Sequence, residues 1–115
     1  MIIRTSRFFY KREDRLDITG GSKDIFGRLF SPPSRLVWDY KAGRISSEEY
    51  TKIYVPLLEE RYKSRLQKET WESFFEVPQV TMVCFCKASD FCHRFLAANF
   101  LEILGCKYDG EIAPY

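Results

Sequence analysis

Three of the four cysteines, the only histidine and an arginine lie within eleven residues of the chain, between positions 84 and 94. A thiolate is a nucleophile and a metal ligand, an imidazole can carry a proton near neutral pH, and a guanidinium binds anions. These residue types indicate nucleophilic or acid-base chemistry, with Cys92 as the thiolate, His93 as the base and Cys86 as a second reactive thiol. Arg94 would then bind an anionic part of the substrate, such as a phosphate.

The same side chains allow two other interpretations. Zinc prefers sulfur and imidazole nitrogen, so Cys86, Cys92 and His93, with Cys84 as an optional addition, are a candidate ligand set. Their spacing departs from the paired knuckles of structural zinc sites, and no other cofactor is expected. In the third interpretation the cysteines are small buried apolar residues, and His93 is a hydrogen-bonded residue of the core.

The sequence on either side of the cysteines predicts a strand, a loop and the start of a helix. Residues 80–86 are apolar and short, as in a buried strand, and residues 95–104 have helical length and end at Gly105, a natural C-cap. The first N–H groups of a helix are unpaired and carry partial positive charge, so this junction suits an anion. We therefore expect Lys87 and Ser89, in the loop, to bind the substrate together with Arg94.

Strand alternation separates two of the cysteines. Cys84 falls inside the predicted strand and is expected to be a packing residue, whereas Cys86 falls at its exit, where a thiol can face a cleft. The chain begins with another short apolar strand, and the carboxyl ends of parallel neighbours meet at one edge of a sheet. If the two strands are such neighbours, Thr5, Ser6 and Arg7 form the opposite wall of the binding site.

Aromatic and basic residues alternate in segment 8–15, which contains Phe8, Phe9, Tyr10, Lys11, Arg12 and Arg15. Rings among cations suit single-stranded nucleic acid or nucleotides. The alternative is a surface loop whose rings pack onto the domain while the charges stay in water. A net charge of +2 is too small to decide between these two interpretations.

Composition and patterning predict a single domain. A chain of 115 residues with 45% hydrophobic residues can bury one core. Ser46 and Glu49 form a capping box for a long helix interrupted by Pro56, and a short helix before Pro78 should contain Trp71. The order of elements predicts a small three-layer α/β domain, residues 1–115, with a short, mostly parallel sheet flanked by helices.

The expected location is the cytoplasm, because the sequence shows no secretory signal and no apolar stretch near the length of a membrane span. No membrane partner is expected. Free, reactive or metal-bound cysteines also suit that compartment better than disulfides. The oligomeric state is left open by the sequence.

The residues Val83 to Cys86, followed by Phe91, Cys92, His93 and Arg94, resemble the family called domain of unknown function 488, which closes with Cys-His-Arg at a helix start. Segments 4–7, 15–19, 31–34 and 43–46 follow in the family's order, so that the resemblance covers nearly the whole chain. It implies a compact α/β domain found in bacteria and their phages, with Cys92, His93 and Arg94 as site residues, and it supplies no reaction. The second proline of segment 31–34 and Pro56 depart from the family's pattern.

Taken together, the sequence favours an enzyme acting on a phosphate-bearing or nucleotide-like small molecule, through a Cys-His-Arg site at a strand-to-helix junction. The first alternative is a non-catalytic binding module for nucleic acid or a partner protein, which would use segment 8–15. The second alternative is a zinc site formed by the same cysteines and histidine.

Overall fold

A four-stranded parallel sheet forms the centre of the computed structural model, which describes residues 1–86 and 90–114. Its strand order is β2-β3-β1-β4. In β1 and β3, Ile3 is opposite Val80 and Arg7 is opposite Cys84, so the predicted parallel neighbours are confirmed. The strands are β1 (Ile2–Arg7), β2 (Arg15–Asp17), β3 (Gln79–Cys84) and β4 (Lys107–Glu111).

Helices fill the connections from β2 to β3 and from β3 to β4. Ser46 caps α2 through the predicted capping box with Glu49, and Pro56 lies inside this helix without ending it. The predicted helix around Trp71 is present and ends before Pro78. The helices are α1 (Ser34–Lys41), α2 (Ser47–Lys63), α3 (Lys68–Phe75) and α4 (His93–Ile103), with single 3-10 turns at Gly27–Leu29 and Arg65–Gln67.

All four helices contribute to one hydrophobic core on one face of the sheet. Ile3, Val80 and Met82 lie on that face by their register, and they belong to the same buried cluster as the helix side chains. The connections from β2 to β3 and from β3 to β4 cross the sheet in the same direction. Because such crossovers are right-handed, their helices lie on the same face of the sheet. The largest helix residues of this core are Tyr54, Leu58, Trp71, Phe74, Phe100 and Leu101.

The opposite face of the sheet is covered by the chain between β1 and β2. Asp14 accepts hydrogen bonds from Gln79 at 2.8 Å and from Thr81 at 2.6 Å, and it also accepts one from the Tyr10 hydroxyl. We call these four residues the Asp14 network. The third layer of the predicted α/β domain is therefore a stretch of chain without regular structure. None of the described helices is long and apolar enough to span a bilayer.

Candidate functional site

Cys84 and Cys92 are brought together where β3 ends and α4 begins. Cys84 is the last residue of β3, and Cys92 is the N-cap of α4, with extended backbone at φ −152° and ψ 146°. Their sulfur atoms are in contact, and their Cα atoms are 7.9 Å apart. A disulfide seldom spans more than about 7 Å between Cα atoms, so this backbone spacing does not suit a stable disulfide.

His93 holds one ring nitrogen towards these sulfurs. Its Nε2 lies 2.6 Å from the carbonyl oxygen of Ile18, which can only accept, so Nε2 carries the proton. Nδ1 then has a free lone pair, 3.8 Å from the Cys92 sulfur. Burial lowers the pKa of His93 to about 4, although the Ile18 carbonyl partly offsets this. The imidazole is therefore neutral at pH 7 and acts as an acceptor.

Arg94 supplies a fixed positive charge behind the sulfurs. Its side chain is fully buried and forms a two-pronged ion pair with Glu111, at 3.2 Å and 2.9 Å. The remaining nitrogen, Nη1, donates to the Cys84 sulfur and to the Cys86 carbonyl oxygen, each at 2.9 Å. The Cys84 sulfur therefore accepts a hydrogen bond from a charged donor. We call Cys84, Cys92, His93 and Arg94 the thiol cluster.

One expectation about these residues needs correction. Cys84 is buried, as predicted, but it is not only a packing residue, because its sulfur contacts both Cys92 and Arg94. Inside a regular first helical turn, the side chains of Cys92, His93 and Arg94 would point in different directions. Because Cys92 instead caps the helix in an extended conformation, the side chains of Cys92, His93 and Arg94 converge on one place.

The structure also changes the candidate zinc ligands. One ligand atom from each of Cys84, Cys92 and His93 lies within 4.8 Å of the others, and all three residues are buried. Cys86, which was placed in the ligand set from the sequence, is a half-buried free cysteine outside this group. Cys86 follows the end of β3, as predicted. Its carbonyl oxygen, rather than its thiol, contacts the thiol cluster.

The thiol cluster lies at a cavity of about 760 Å³. Cys84, Cys92 and His93 all line it. Its other walls are supplied by α1, α2 and the loop after β2, which contribute aromatic rings, hydroxyl groups and one lysine. These lining residues are Thr19, Gly20, Gly21, Pro32, Ser34, Val37, Trp38, Tyr40, Lys41, Tyr50, Phe85, Cys86, Asp90 and Phe91.

Three of the side chains predicted to bind substrate point elsewhere in the described structure. The Thr5 hydroxyl shares a hydrogen bond of 2.5 Å with that of Tyr108, and the Ser6 hydroxyl donates to the Ile112 carbonyl at 2.8 Å. The Arg7 guanidinium lies 5.8 Å from the centre of the Phe9 ring. The strand ends are adjacent, as expected, but these residues do not line the cavity.

Two further predicted binding residues, Lys87 and Ser89, lie outside the described residues. Arg94 lies among the described residues. Its guanidinium is bound to Glu111 and to the Cys84 sulfur, and it is not one of the residues that line the cavity. The cavity residues that the sequence did not indicate are chiefly aromatic. Tyr40 and Tyr50 both pack against Phe91, each at 5.2 Å between ring centres, and Trp38 is exposed. Tyr40 and Tyr50 lie on α1 and α2, where apolar residues at helical spacing indicate only a buried face.

The fold and the cluster define a small parallel α/β domain with a cysteine-histidine site at the carboxyl edge of its sheet. Residues 2–105 match the family model DUF488-N3a, described as the active DUF488-N3 subclade. The chain belongs to the DUF488 family, as the resemblance of its sequence predicted. Comparison with curated proteins found no match, and comparison with solved structures found none.

Proposed function

We propose that this domain is an enzyme that acts on a nucleotide-like small molecule in the cavity and uses Cys92 as its nucleophile. The observation that carries the proposal is the position of the Cys92 sulfur. Cys92 lines the cavity and is the N-cap residue of α4, and its sulfur contacts the Cys84 sulfur and lies 3.8 Å from Nδ1 of His93. The description of the matched subclade as active supports an enzyme over a binding module.

Each member of the thiol cluster has a separate role in this proposal. The Arg94 charge acts on Cys84 directly, and Cys84 in turn contacts Cys92, so we assign the two sulfurs one negative charge between them in the reactive state. The positive end of α4 adds to this stabilisation at Cys92. His93 is too weak a base at pH 7 to remove the proton alone, because burial holds its pKa at about 4. Its role is to orient the Cys92 sulfur in the thiol form, by accepting a hydrogen bond from S–H at Nδ1.

The proposed step is a substitution. The Cys92 thiolate forms a bond to an electrophilic atom of the ligand, and the bond from that atom to the leaving group breaks, with the electron pair going to the leaving group. The oxygen of a water molecule then bonds to the same atom, the sulfur leaves as the thiolate, and the proton released from the water goes to the departed leaving group. Arg94 is a positioning residue in this scheme, because its contact is with Cys84 and not with the ligand.

The walls of the cavity favour a ligand with a planar ring and a negative charge. Trp38 offers an exposed ring, and Tyr40, Tyr50 and Phe91 form a packed aromatic wall. A nucleobase can stack on such rings. Lys41 is the cation among the described lining residues, and it can pair with a phosphate.

The test is alkylation by iodoacetamide, with each cysteine followed by mass spectrometry at pH 6 and pH 8. We expect Cys92 or Cys84 to react fastest at pH 6. Cys106 is the internal control, because burial raises the pKa of its thiol and it lies outside the cavity lining. Adenosine monophosphate should slow alkylation of the cluster and quench Trp38 fluorescence. Equal pH 6 rates at Cys92 and Cys106, with no protection, would contradict the proposal.

A second candidate function is a catalytic zinc centre, favoured by the surroundings of Cys84, Cys92 and His93. Three protein ligands and one open position facing a cavity are typical of catalytic zinc. The outer contacts also suit metal ligands: the His93 Nε2–H donates to Ile18, and Arg94 donates to the Cys84 sulfur. The two sulfurs would have to separate to admit the ion.

Cobalt(II) distinguishes the two candidates. Added to the protein, it should give visible thiolate-to-cobalt absorption that is lost in Cys84→Ser and in His93→Gln but kept in Cys86→Ser. Elemental analysis of protein purified without added metal gives the natural occupancy. Folded protein with neither zinc nor a cobalt spectrum would exclude the zinc centre and leave the thiol chemistry.

A further inference from the structure

A strip of rings and cations begins at the edge of the cavity. It consists of Phe8, Phe9, Lys11, Arg12, Arg15 and Phe85, and we call it the aromatic-basic strip. We infer that the strip binds single-stranded nucleic acid, so that the nucleotide in the cavity is one unit of a longer strand. The inference rests on the proposed function for its cavity part and on the surface of the strip for the rest.

The strip presents two large rings to solvent. Phe9 is 62% exposed and Phe85 is 63% exposed, values that are high for phenylalanine. Phe85 is fixed from below by Phe8, whose ring is stacked on it at 4.1 Å between centres. The outer face of Phe85 remains available, and stacking on exposed aromatic rings is how proteins bind single strands without reading their sequence.

Phe8 is in turn held by two cations. The Arg15 guanidinium lies 4.4 Å and the Lys11 ammonium 5.4 Å from the centre of its ring. Arg15 also donates to the carbonyl oxygens of Phe8 and Tyr10, at 3.1 Å and 2.9 Å. Arg15 therefore positions Phe8, and through it Phe85, before any ligand binds.

The charge around these rings suits phosphates. Between positions 7 and 15 the chain has four cations and two carboxylates. One carboxylate, Asp14, is occupied by hydrogen bonds from the sheet, while the other, Glu13, is exposed. Lys11 and Arg12 are exposed, and neither forms an ion pair within residues 1–86 and 90–114. Both are available to a polyanion.

Phe85 connects the strip to the proposed active site. It follows Cys84 directly, and it lines the cavity beside that residue. A base stacked on Phe85 would therefore lie next to a nucleotide held in the cavity, and the following base could reach Phe9. Duplex nucleic acid has its bases paired and stacked internally, so the exposed rings favour a single strand.

The experiment measures binding of fluorescein-labelled dodecathymidylate by anisotropy, with thymidine monophosphate as the small competitor. The dodecamer should bind at least tenfold more tightly than the monophosphate and than a twelve-base-pair duplex. Phe9→Ala should weaken dodecamer binding about tenfold, as expected for loss of one stacked base, and leave monophosphate binding unchanged.

Salt dependence tests the cations. Lys11→Gln and Arg12→Gln should each lower the slope of log affinity against log salt by about 0.7, the value for one phosphate of a single strand. Lys52→Gln is the matched control, because Lys52 is an exposed lysine on α2 outside the strip. Equal affinity for dodecamer and monophosphate, or binding that none of the strip variants changes, would overturn the inference.

Cys92→Ser separates this inference from the proposed function. Dodecamer binding should persist in this variant, since the strip does not require the thiol. If the strip binds the dodecamer but the cluster thiols are unreactive in the native protein, the inference stands and the proposed enzyme fails. If the thiols react and the monophosphate protects them without any gain for the dodecamer, the enzyme stands and the strip fails.

Discussion

Two polar clusters lie on opposite faces of β3, and they differ in how completely their atoms are bonded. In the Asp14 network, which is partly buried, the carboxylate accepts from Tyr10, Gln79 and Thr81, and each donor has a partner. In the thiol cluster, which is buried, Arg94 is fully bonded, but the Nδ1 of His93 has only the Cys92 sulfur, at 3.8 Å. Both clusters border a cavity, so the difference lies in their bonding: the first has its hydrogen bonds without a ligand, whereas the second leaves its reactive atoms weakly bonded beside the cavity.

This difference separates a structural polar cluster from a candidate site. Buried polar atoms are normally paired, because a buried polar atom without a partner lowers the free energy of unfolding. The Asp14 network follows that rule and fixes segment 8–14 on the sheet. In the thiol cluster, the ion pair with Glu111 holds Arg94 in place beside the Cys84 sulfur. The Cys92 sulfur and the Nδ1 of His93 have only weak hydrogen bonds. Changes in the two clusters should therefore affect stability and thiol reactivity in different proportions.

The largest loss of stability is expected for Arg94→Met. Removing the guanidinium leaves Glu111 without its partner, and breaking one side of a buried pair costs about 4 kcal/mol of the free energy of unfolding. Urea unfolding measures this. Arg44→Met, which breaks the more exposed pair with Asp39, is the control and should cost less than about 0.5 kcal/mol.

The same variant tests the role of Arg94 at the sulfurs. The double change Arg94→Met and Glu111→Leu should recover part of the stability, because no charge is left unpaired. Iodoacetamide reactivity of the cluster at pH 6 should stay low in the double variant. Recovery of both quantities would show that Arg94 acts only through the fold.

The second effect is a loss of stability as the pH falls, caused by His93. Its pKa is lowered by burial from 6.5 to about 4, so between these values the unfolded chain binds a proton that the folded chain does not. The free energy of unfolding should therefore fall by about 1.4 kcal/mol per pH unit, or of the order of 3 kcal/mol over the window.

Because His93 is the only histidine, this pH window can be assigned to it. Urea unfolding at pH 7.5, 6.0 and 5.0 measures the slope. His93→Gln keeps a donor for the Ile18 carbonyl and removes the titration, so its free energy of unfolding should be flat over this range. If the native protein is equally stable at pH 7.5 and 5.0, the imidazole of His93 is in contact with water and its pKa is not lowered by burial.

In the Asp14 network, Asp14→Asn should lower the free energy of unfolding by about 2 kcal/mol. The carboxylate accepts three hydrogen bonds, whereas the NH2 group of an asparagine would face the donor groups of its neighbours. Thiol reactivity should be unchanged. Burial would raise the pKa of Asp14, but hydrogen bonds from Thr81, Tyr10 and Gln79 outweigh it, and the pKa is lowered from 3.8.

The pH dependence of Asp14 has a definite sign. A carboxyl group with a lowered folded pKa stabilises the fold above its ordinary value of 3.8, and this contribution is lost as the pH falls through the folded pKa. Acid unfolding of Asp14→Asn should therefore be less steep below pH 4 than that of the native protein. A change in thiol reactivity in this variant would mean that the two clusters are coupled.

The smallest effect is expected for Cys86→Ser. Cys86 is half-buried, and its contact with the thiol cluster is made by its carbonyl oxygen, which the substitution keeps. The free energy of unfolding should change by less than about 0.5 kcal/mol. Alkylation of Cys84 and Cys92 should proceed as in the native protein. A large loss of cluster reactivity would instead support the catalytic role predicted for Cys86.

Much of the architecture could be predicted, because local patterns carry it. The alternation and apolar character of β3, the length of α4, and the capping box of Ser46 and Glu49 each depend on residues close in sequence. Strand β2 was not predicted, since three residues are too few to show a period. Its pairing with β3 comes from long-range contacts, as does the placement of segment 8–14 over the sheet.

The sequence by itself placed Cys86, Cys92, His93 and Arg94 at one strand-to-helix junction, because they lie on the strand exit and the helix start, and it placed Cys84 inside the strand as a packing residue. Only the tertiary structure decided their roles. The alternation of side chains along β3 predicted the face of the sheet on which Cys84 lies, but not the residues that contact it there. Glu111 reaches Arg94 only because β4 pairs with β1. The aromatic wall from α1 and α2 likewise depends on how separate helices pack, which no local pattern encodes.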